Sequence, residues 1–106
     1  MQVEWDVTKN ARNIVKHGVS FDIAGRAFAK RMVQWRDKRL EYGEERWSGL
    51  ADIDGDVYFV AWTVRGPETT RLITARRANE RERKKFRSQI ATPSSDSPVE
   101  DSAEKP

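Results

Sequence analysis

Between Arg46 and Ala75 the chain reads RWSGLADIDGDVYFVAWTVRGPETTRLITA, and the fold is decided there. Asp54-Gly55 is a two-residue hairpin signal, because a type I′ turn needs positive φ at both central positions and these residues tolerate it. Strands are expected on either side, Arg46 to Ile53 and Val57 to Val64. The second, VYFVAWTV, is apolar at odd and even positions alike, which marks a central strand covered on both faces. Gly66-Pro67 makes a second turn, and Thr70 to Ala75 closes the meander. Upstream, Met32 to Asp37 places Val33 and Trp35 in alternation and reads as a further strand. Arg36 to Glu45 is charged, contains Gly43, and reads as a loop.

Outside this β region the periodicity changes. Val3-Glu4-Trp5 is short and alternating, with room for an extra N-terminal strand. Asp6 is a good helix N-cap. Val7, Ala11, Ile14 and Val15 then follow the spacing of an amphipathic helix, and Gly18 stops it. Ser20 caps a second helix in which Phe21, Ala24 and Phe28 share a face, so Gly18-Val19 joins a helical hairpin. After the strands, Asn79 and Glu82 have capping-box spacing. The helix they open runs to about Ile90, with only Phe86 and Ile90 as large apolar residues. The expected fold is α+β: two N-terminal helices, a four-stranded antiparallel sheet with a fifth strand allowed at the N-terminus, and a C-terminal helix. Residues 1–90 form the domain. Residues 91–106, ATPSSDSPVEDSAEKP, read as a disordered acidic tail, since they cannot bury enough apolar surface to order themselves.

Charge is distributed to match. Residues 1–91 hold 19 Lys/Arg against 13 Asp/Glu, and residues 92–106 hold one Lys against four acids. A body this basic suits RNA, DNA or an acidic protein partner, and equally a plain solvated surface. The absence of cysteine excludes disulfides, thiolate metal sites and thiol nucleophiles. No apolar run approaches the roughly 20 residues that span a bilayer. The N-terminus lacks a signal-peptide pattern, so the bacterial cytoplasm is the expected location. One histidine and no tight carboxylate cluster give no recognisable metal-ligand set, and no P-loop or dinucleotide fingerprint is present. No cofactor is expected.

The residues able to carry chemistry are mostly cationic. Arg65, Arg71, Arg76 and Arg77 bracket the last hairpin. A guanidinium offers a planar, permanently charged fork of donors that matches phosphate oxygens. The same arginines would also serve as edge charge against aggregation. The hairpin register, and so which arginines share a face, is not readable from sequence. His17, at a helix C-terminus, is a dipole cap or a general base. Glu45 is a base for a 2′-hydroxyl or an ion-pair partner for an arginine. Trp62 is a base-stacking platform or a core residue. Lys84, in the run Arg81, Arg83, Lys84, Lys85 and Arg87, is a phosphate contact or part of a docking face.

The runs Glu4-Trp5-Asp6, Lys9-Asn10 and Lys16-His17-Gly18-Val19-Ser20-Phe21 resemble the opening of the BrnT toxin family. Tyr42-Gly43-Glu44-Glu45-Arg46-Trp47, Thr63-Val64-Arg65-Gly66 and Ile73-Thr74-Ala75-Arg76-Arg77-Ala78 resemble its later motifs. The likeness covers roughly residues 2–87 in order and leaves out the tail. It implies a ribonuclease toxin of a type II toxin–antitoxin system, with a fold similar to the RelE class. It also implies neutralisation by a BrnA-type ribbon-helix-helix antitoxin that contacts DNA in a promoter-repressing complex. Arg65 and Arg76 map onto its active-site arginines, Trp62 onto an aromatic position beside them, and Arg77 next to these. Thr74 stands where the family often has Ser. On this reading the chain cleaves RNA without a metal, by 2′-hydroxyl attack on the adjacent phosphorus. The alternative is a non-catalytic basic module that binds nucleic acid or antitoxin.

Overall fold

The Asp54-Gly55 turn forms as its chemistry requires. Asp54 and Gly55 have φ of 54° and 94°, and the Gly55 N–H donates to the Asp52 carboxylate at 2.8 Å. The turn joins two strands paired from Arg46↔Thr63 to Ile53↔Asp56. The computed structural model describes residues 1–38 and 43–90, so the expected acidic tail lies outside the described residues. In chain order the elements are β1 (Gln2–Glu4), α1 (Val7–His17), α2 (Phe21–Ala24), a 3-10 helix (Gly25–Ala29), β2 (Met32–Asp37), β3 (Arg46–Ile53), β4 (Asp56–Val64), β5 (Thr69–Arg77) and α3 (Glu80–Ile90). The architecture is α+β.

One expectation is filled out and one needs correction. The sheet is five-stranded and mixed, in the order β1-β5-β4-β3-β2, the four antiparallel strands being joined by the N-terminal strand that the sequence allowed. The N-terminal run is a full member of it: β1 pairs parallel to β5 from Gln2↔Thr69 to Glu4↔Arg71. The second helix is not one α-helix. Four α-helical residues give way to the 3-10 turn at Gly25, a poor residue for a helix interior. The tighter repeat keeps Phe21, Ala24 and Ala27, three residues apart, fully buried on one side. Phe28 meets Trp62 edge to face at 5.0 Å.

β4 is covered on both faces, as its composition requires. One face carries Tyr58, Val60 and Trp62, which pack with Leu72, Ala75 and the α2/3-10 segment. The other carries Val57, which packs with Val33, Leu50, Ala78 and Phe86, with Phe59 at the margin of that cluster. Among the described residues no helix is long and apolar enough to cross a membrane.

Helix α1 docks in an unexpected orientation. Asp6 caps it, accepting from the N–H groups of Thr8 and Lys9 at 2.8 and 3.1 Å, and these bonds hold the Asp6 carboxyl below its usual range. Gly18 ends it at φ 71°. An apolar helical stripe ordinarily faces the core, yet Val7 and Val15 are 80% and 88% exposed and Ile14 44%. The buried residue is Asn13. Its amide nitrogen donates to the carbonyls of Val19 and Ala75, both at 2.8 Å. Its oxygen accepts from the Ala75 N–H at 3.2 Å and the Thr74 hydroxyl at 3.1 Å. All four hydrogen-bonding capacities of the amide are met. The reason lies in β5. β1 covers it only as far as Arg71, and beyond that the backbone edge needs another partner. Asn13 offers Ala75 both a donor and an acceptor, as a peptide group of a neighbouring strand would. Asn10 adds a bond from the Phe21 N–H at 2.8 Å, tying α1 to the start of α2.

Candidate active site

Arg76 lies opposite Phe59 on the sheet face that packs against α3. Its guanidinium carbon sits 4.2 Å from the Phe59 ring centroid. Both terminal nitrogens donate to Glu82, at 2.8 and 2.9 Å. Glu82 is itself fixed by a reciprocal capping box: it accepts from the Asn79 N–H at 2.9 Å while its own N–H donates to the Asn79 side chain at 2.8 Å. Partial burial pushes the Glu82 carboxyl up, but the bonds from Arg76 and Asn79 outweigh it and hold the group below its ordinary value. The start of α3 thus holds one arginine by a carboxylate fork, and Phe59 of β4 holds it by an aromatic face.

This arginine lines a cleft of about 220 Å³, together with Trp35, Arg36, Asp37, Lys38, Ser48, Phe59 and Glu82. Trp35 and Phe59 are tilted against each other, with centroids 6.3 Å apart. Lys85 of α3 places its ammonium 3.8 Å from the Trp35 ring centroid. Cations and carboxylates thus share an aromatic-walled cleft, with Arg76 over Phe59 and Lys85 over Trp35 as groups able to meet a phosphate. Among the described residues no group of three or more His, Asp or Glu side chains forms a metal cage.

The family model described as "Ribonuclease toxin, BrnT, of type II toxin-antitoxin system" matches residues 5–82. The chain belongs to the BrnT family. The crystal structure of the Brucella abortus ribonuclease toxin BrnT shares the fold, with a TM-score of 0.57 and 22% sequence identity over 76% of this chain and 99% of that one. No curated protein sequence matches.

Within this BrnT fold the expected site residues disperse. Arg65 lies exposed in the β4–β5 turn, its N–H donating to the Thr69 carbonyl at 2.8 Å. Phe59, the partner of Arg76, is six strand residues away, roughly 20 Å. One phosphate cannot be gripped by both arginines. Arg71 shares the Arg76 face but is paired to Glu4 at 2.9 Å. Arg77 faces the other way, 5.8 Å from the Tyr58 ring centroid and 3.9 Å from Asp56. Trp62 is 5% exposed and packed in the core, so it is no stacking platform. The aromatic residues that line the cleft are Trp35 and Phe59. Lys84 is paired to Glu80 one turn earlier, at 3.7 Å.

His17 lies in a separate groove with Lys9, Arg12, Lys16, Ile73 and Thr74, and no residue lines both this groove and the Arg76 cleft. Glu45 stands at the strand end, 3.4 Å from Arg36 of the cleft, and accepts from the Trp47 indole N–H at 3.2 Å. It also lines an apolar groove with Met1, Phe28, Trp47 and the edge of Trp62. Of the anticipated residues, then, Arg76 lines the cleft, while Glu45 is held by Arg36 and Trp47 on the opposite face of the sheet. Glu82, Phe59, Trp35 and Ser48 escaped the sequence reading as site residues, while Lys85 belongs to the basic run already read as a phosphate patch. The signal for Glu82 was present, since its capping-box partner lies only three residues after Arg76.

Proposed function

We propose that the chain is a ribonuclease toxin that cleaves RNA in the Arg76 cleft, and that a BrnA-type ribbon-helix-helix antitoxin neutralises it. The observation that carries this reading, beyond the family, is the doubly held Arg76 guanidinium above an aromatic floor. The 2′-hydroxyl oxygen attacks the adjacent phosphorus, and the bond to the 5′-oxygen breaks. A 2′,3′-cyclic phosphate and a 5′-hydroxyl result, the leaving oxygen taking up a proton. Arg76, with Lys38, stabilises charge growing on the non-bridging oxygens. Trp35 and Phe59 form the apolar wall of the cleft, and the 2′-hydroxyl proton passes to water, because Arg36 and the Trp47 indole hold the Glu45 carboxylate on the opposite face of the sheet. Arg65, at the far end of the hairpin, contributes a phosphate contact at most.

The test is cleavage of a defined RNA by purified protein in EDTA. Arg76→Ala should slow cleavage about 10²–10³-fold, the loss of about 2.7–4 kcal/mol typical of one preorganised donor. Arg65→Ala should leave it within a few-fold. Full activity in Arg76→Ala would remove the cleft from the mechanism, and loss of wild-type cleavage in EDTA would remove the metal-free route.

A further inference from the structure

We infer that the outward side of α1 is the seat of the antitoxin, which lays an acidic, amphipathic segment across Val7, Ala11, Ile14 and Val15. This rests on the toxin reading above but concerns a different surface. The four residues recur at the spacing of one helical stripe, and three are among the most exposed large apolar side chains of the described residues. No packing need inside the domain explains them, because Asn10 and Asn13 already dock the helix. A stripe of this kind left to solvent is the mark of an interaction surface.

Charge selects the occupant. From Val7 to His17 the helix carries Lys9, Arg12 and Lys16 and no acidic residue. None of these three cations forms an ion pair among the described residues. A second copy of this chain would bring like charges together across a two-fold axis. RNA would satisfy the cations but leave the valines and the isoleucine uncovered. Residues 91–106 have carboxylates, but Val99 is their only aliphatic side chain larger than alanine or proline, too little to cover the stripe. A partner segment with its own apolar stripe, and carboxylates on the one side that overhangs the groove of Lys9, Arg12 and Lys16, meets both demands at once, in the helix-on-helix mode of recognition.

Substitutions there leave the cleft residues in place, since α1 contributes no residue to the Arg76 cleft. Binding and cleavage can therefore be measured separately. The probe is the full-length ribbon-helix-helix protein encoded beside the toxin gene, titrated calorimetrically into the full chain. The variants are Val15→Asp, Val7→Asp and Arg12→Glu. Each side chain projects from the helix surface, and an acidic residue at position 7 also suits the helix N-terminus. Circular dichroism should show unchanged folding. Val15→Asp should raise the Kd at least about tenfold. Its RNA cleavage without antitoxin should stay at the wild-type rate, and antitoxin at concentrations that silence the wild type should no longer stop it.

Wild-type affinity in both valine variants would overturn the proposal. So would Arg12→Glu losing RNA cleavage while keeping antitoxin affinity, which would make the helix an RNA surface. A wild-type dimer that Val15→Asp converts to monomer in sedimentation would assign the stripe to a second copy and also overturn it. A wild-type chain that binds antitoxin but cuts no RNA would refute the activity, and the affinity measurements would still decide the docking face.

Discussion

Helices α1 and α3 are each eleven residues long, yet they meet the sheet in opposite ways. α1 turns an asparagine inward and leaves its valines in water. α3 buries Phe86 and leaves its charges outside. What the sheet presents accounts for the difference. Past Arg71 the β5 edge presents backbone N–H and C=O groups, which only a hydrogen-bonding side chain can satisfy. The floor under α3 presents Val33, Leu50 and Val57, which only an apolar side chain can cover without cost. A helix's buried side is therefore chosen by its receptor surface, and an amphipathic pattern alone does not say which way it faces.

The strongest way to break this contrast is Phe86→Ala. If α3 is held by its single large buried side chain, unfolding in urea should show a loss of about 3–5 kcal/mol. A loss under 1 kcal/mol would shift the anchorage to the Arg76–Glu82 pair. Next comes Asn13→Ala. The Ala75 N–H and C=O, the Val19 carbonyl and the Thr74 hydroxyl would lose their shared partner, at about 2–3 kcal/mol. Amide exchange at Ala75 should rise with it. A neutral result would mean that α1 is held by something other than the strand-edge contact.

The smallest effect sharpens the α3 side. Glu82 has a folded-state pKa below its unfolded value, so its stabilising contribution is complete above the ordinary value of about 4.3 and is lost as pH falls through the depressed folded one. Glu82→Gln should lower stability by about 1 kcal/mol at neutral pH, since the pair is still partly open to solvent. It should also flatten the acid limb of the stability–pH curve. An unchanged acid limb would mean that the pair contributes nothing to holding α3.

Much of the fold was legible because its signals are local. Asp54-Gly55, the two-sided apolar run of β4 and the Asp6, Gly18 and Asn79/Glu82 caps all act within a few residues, and each occurs where expected. The parallel pairing of β1 was not legible, because its partner β5 lies more than sixty residues away and three rungs leave almost no pattern. The candidate site was only half legible. Arg76 stood out as a guanidinium near a strand end, but its distance from Arg65 depends on register. Trp62 and Trp35 are both tryptophans on β-strands; only packing put the first in the core and the second in the cleft.

By itself the amino-acid order determined where the chain turns, where helices begin and stop, and that a basic α+β domain would result. Those outcomes follow from backbone torsion and capping preferences that neighbouring residues settle among themselves. Tertiary structure alone decided which side of α1 faces inward, which arginine is clamped over an aromatic ring, and which remain at the rim. These depend on strand register and on unpaired backbone groups at a sheet edge, quantities that exist only once distant segments have come together.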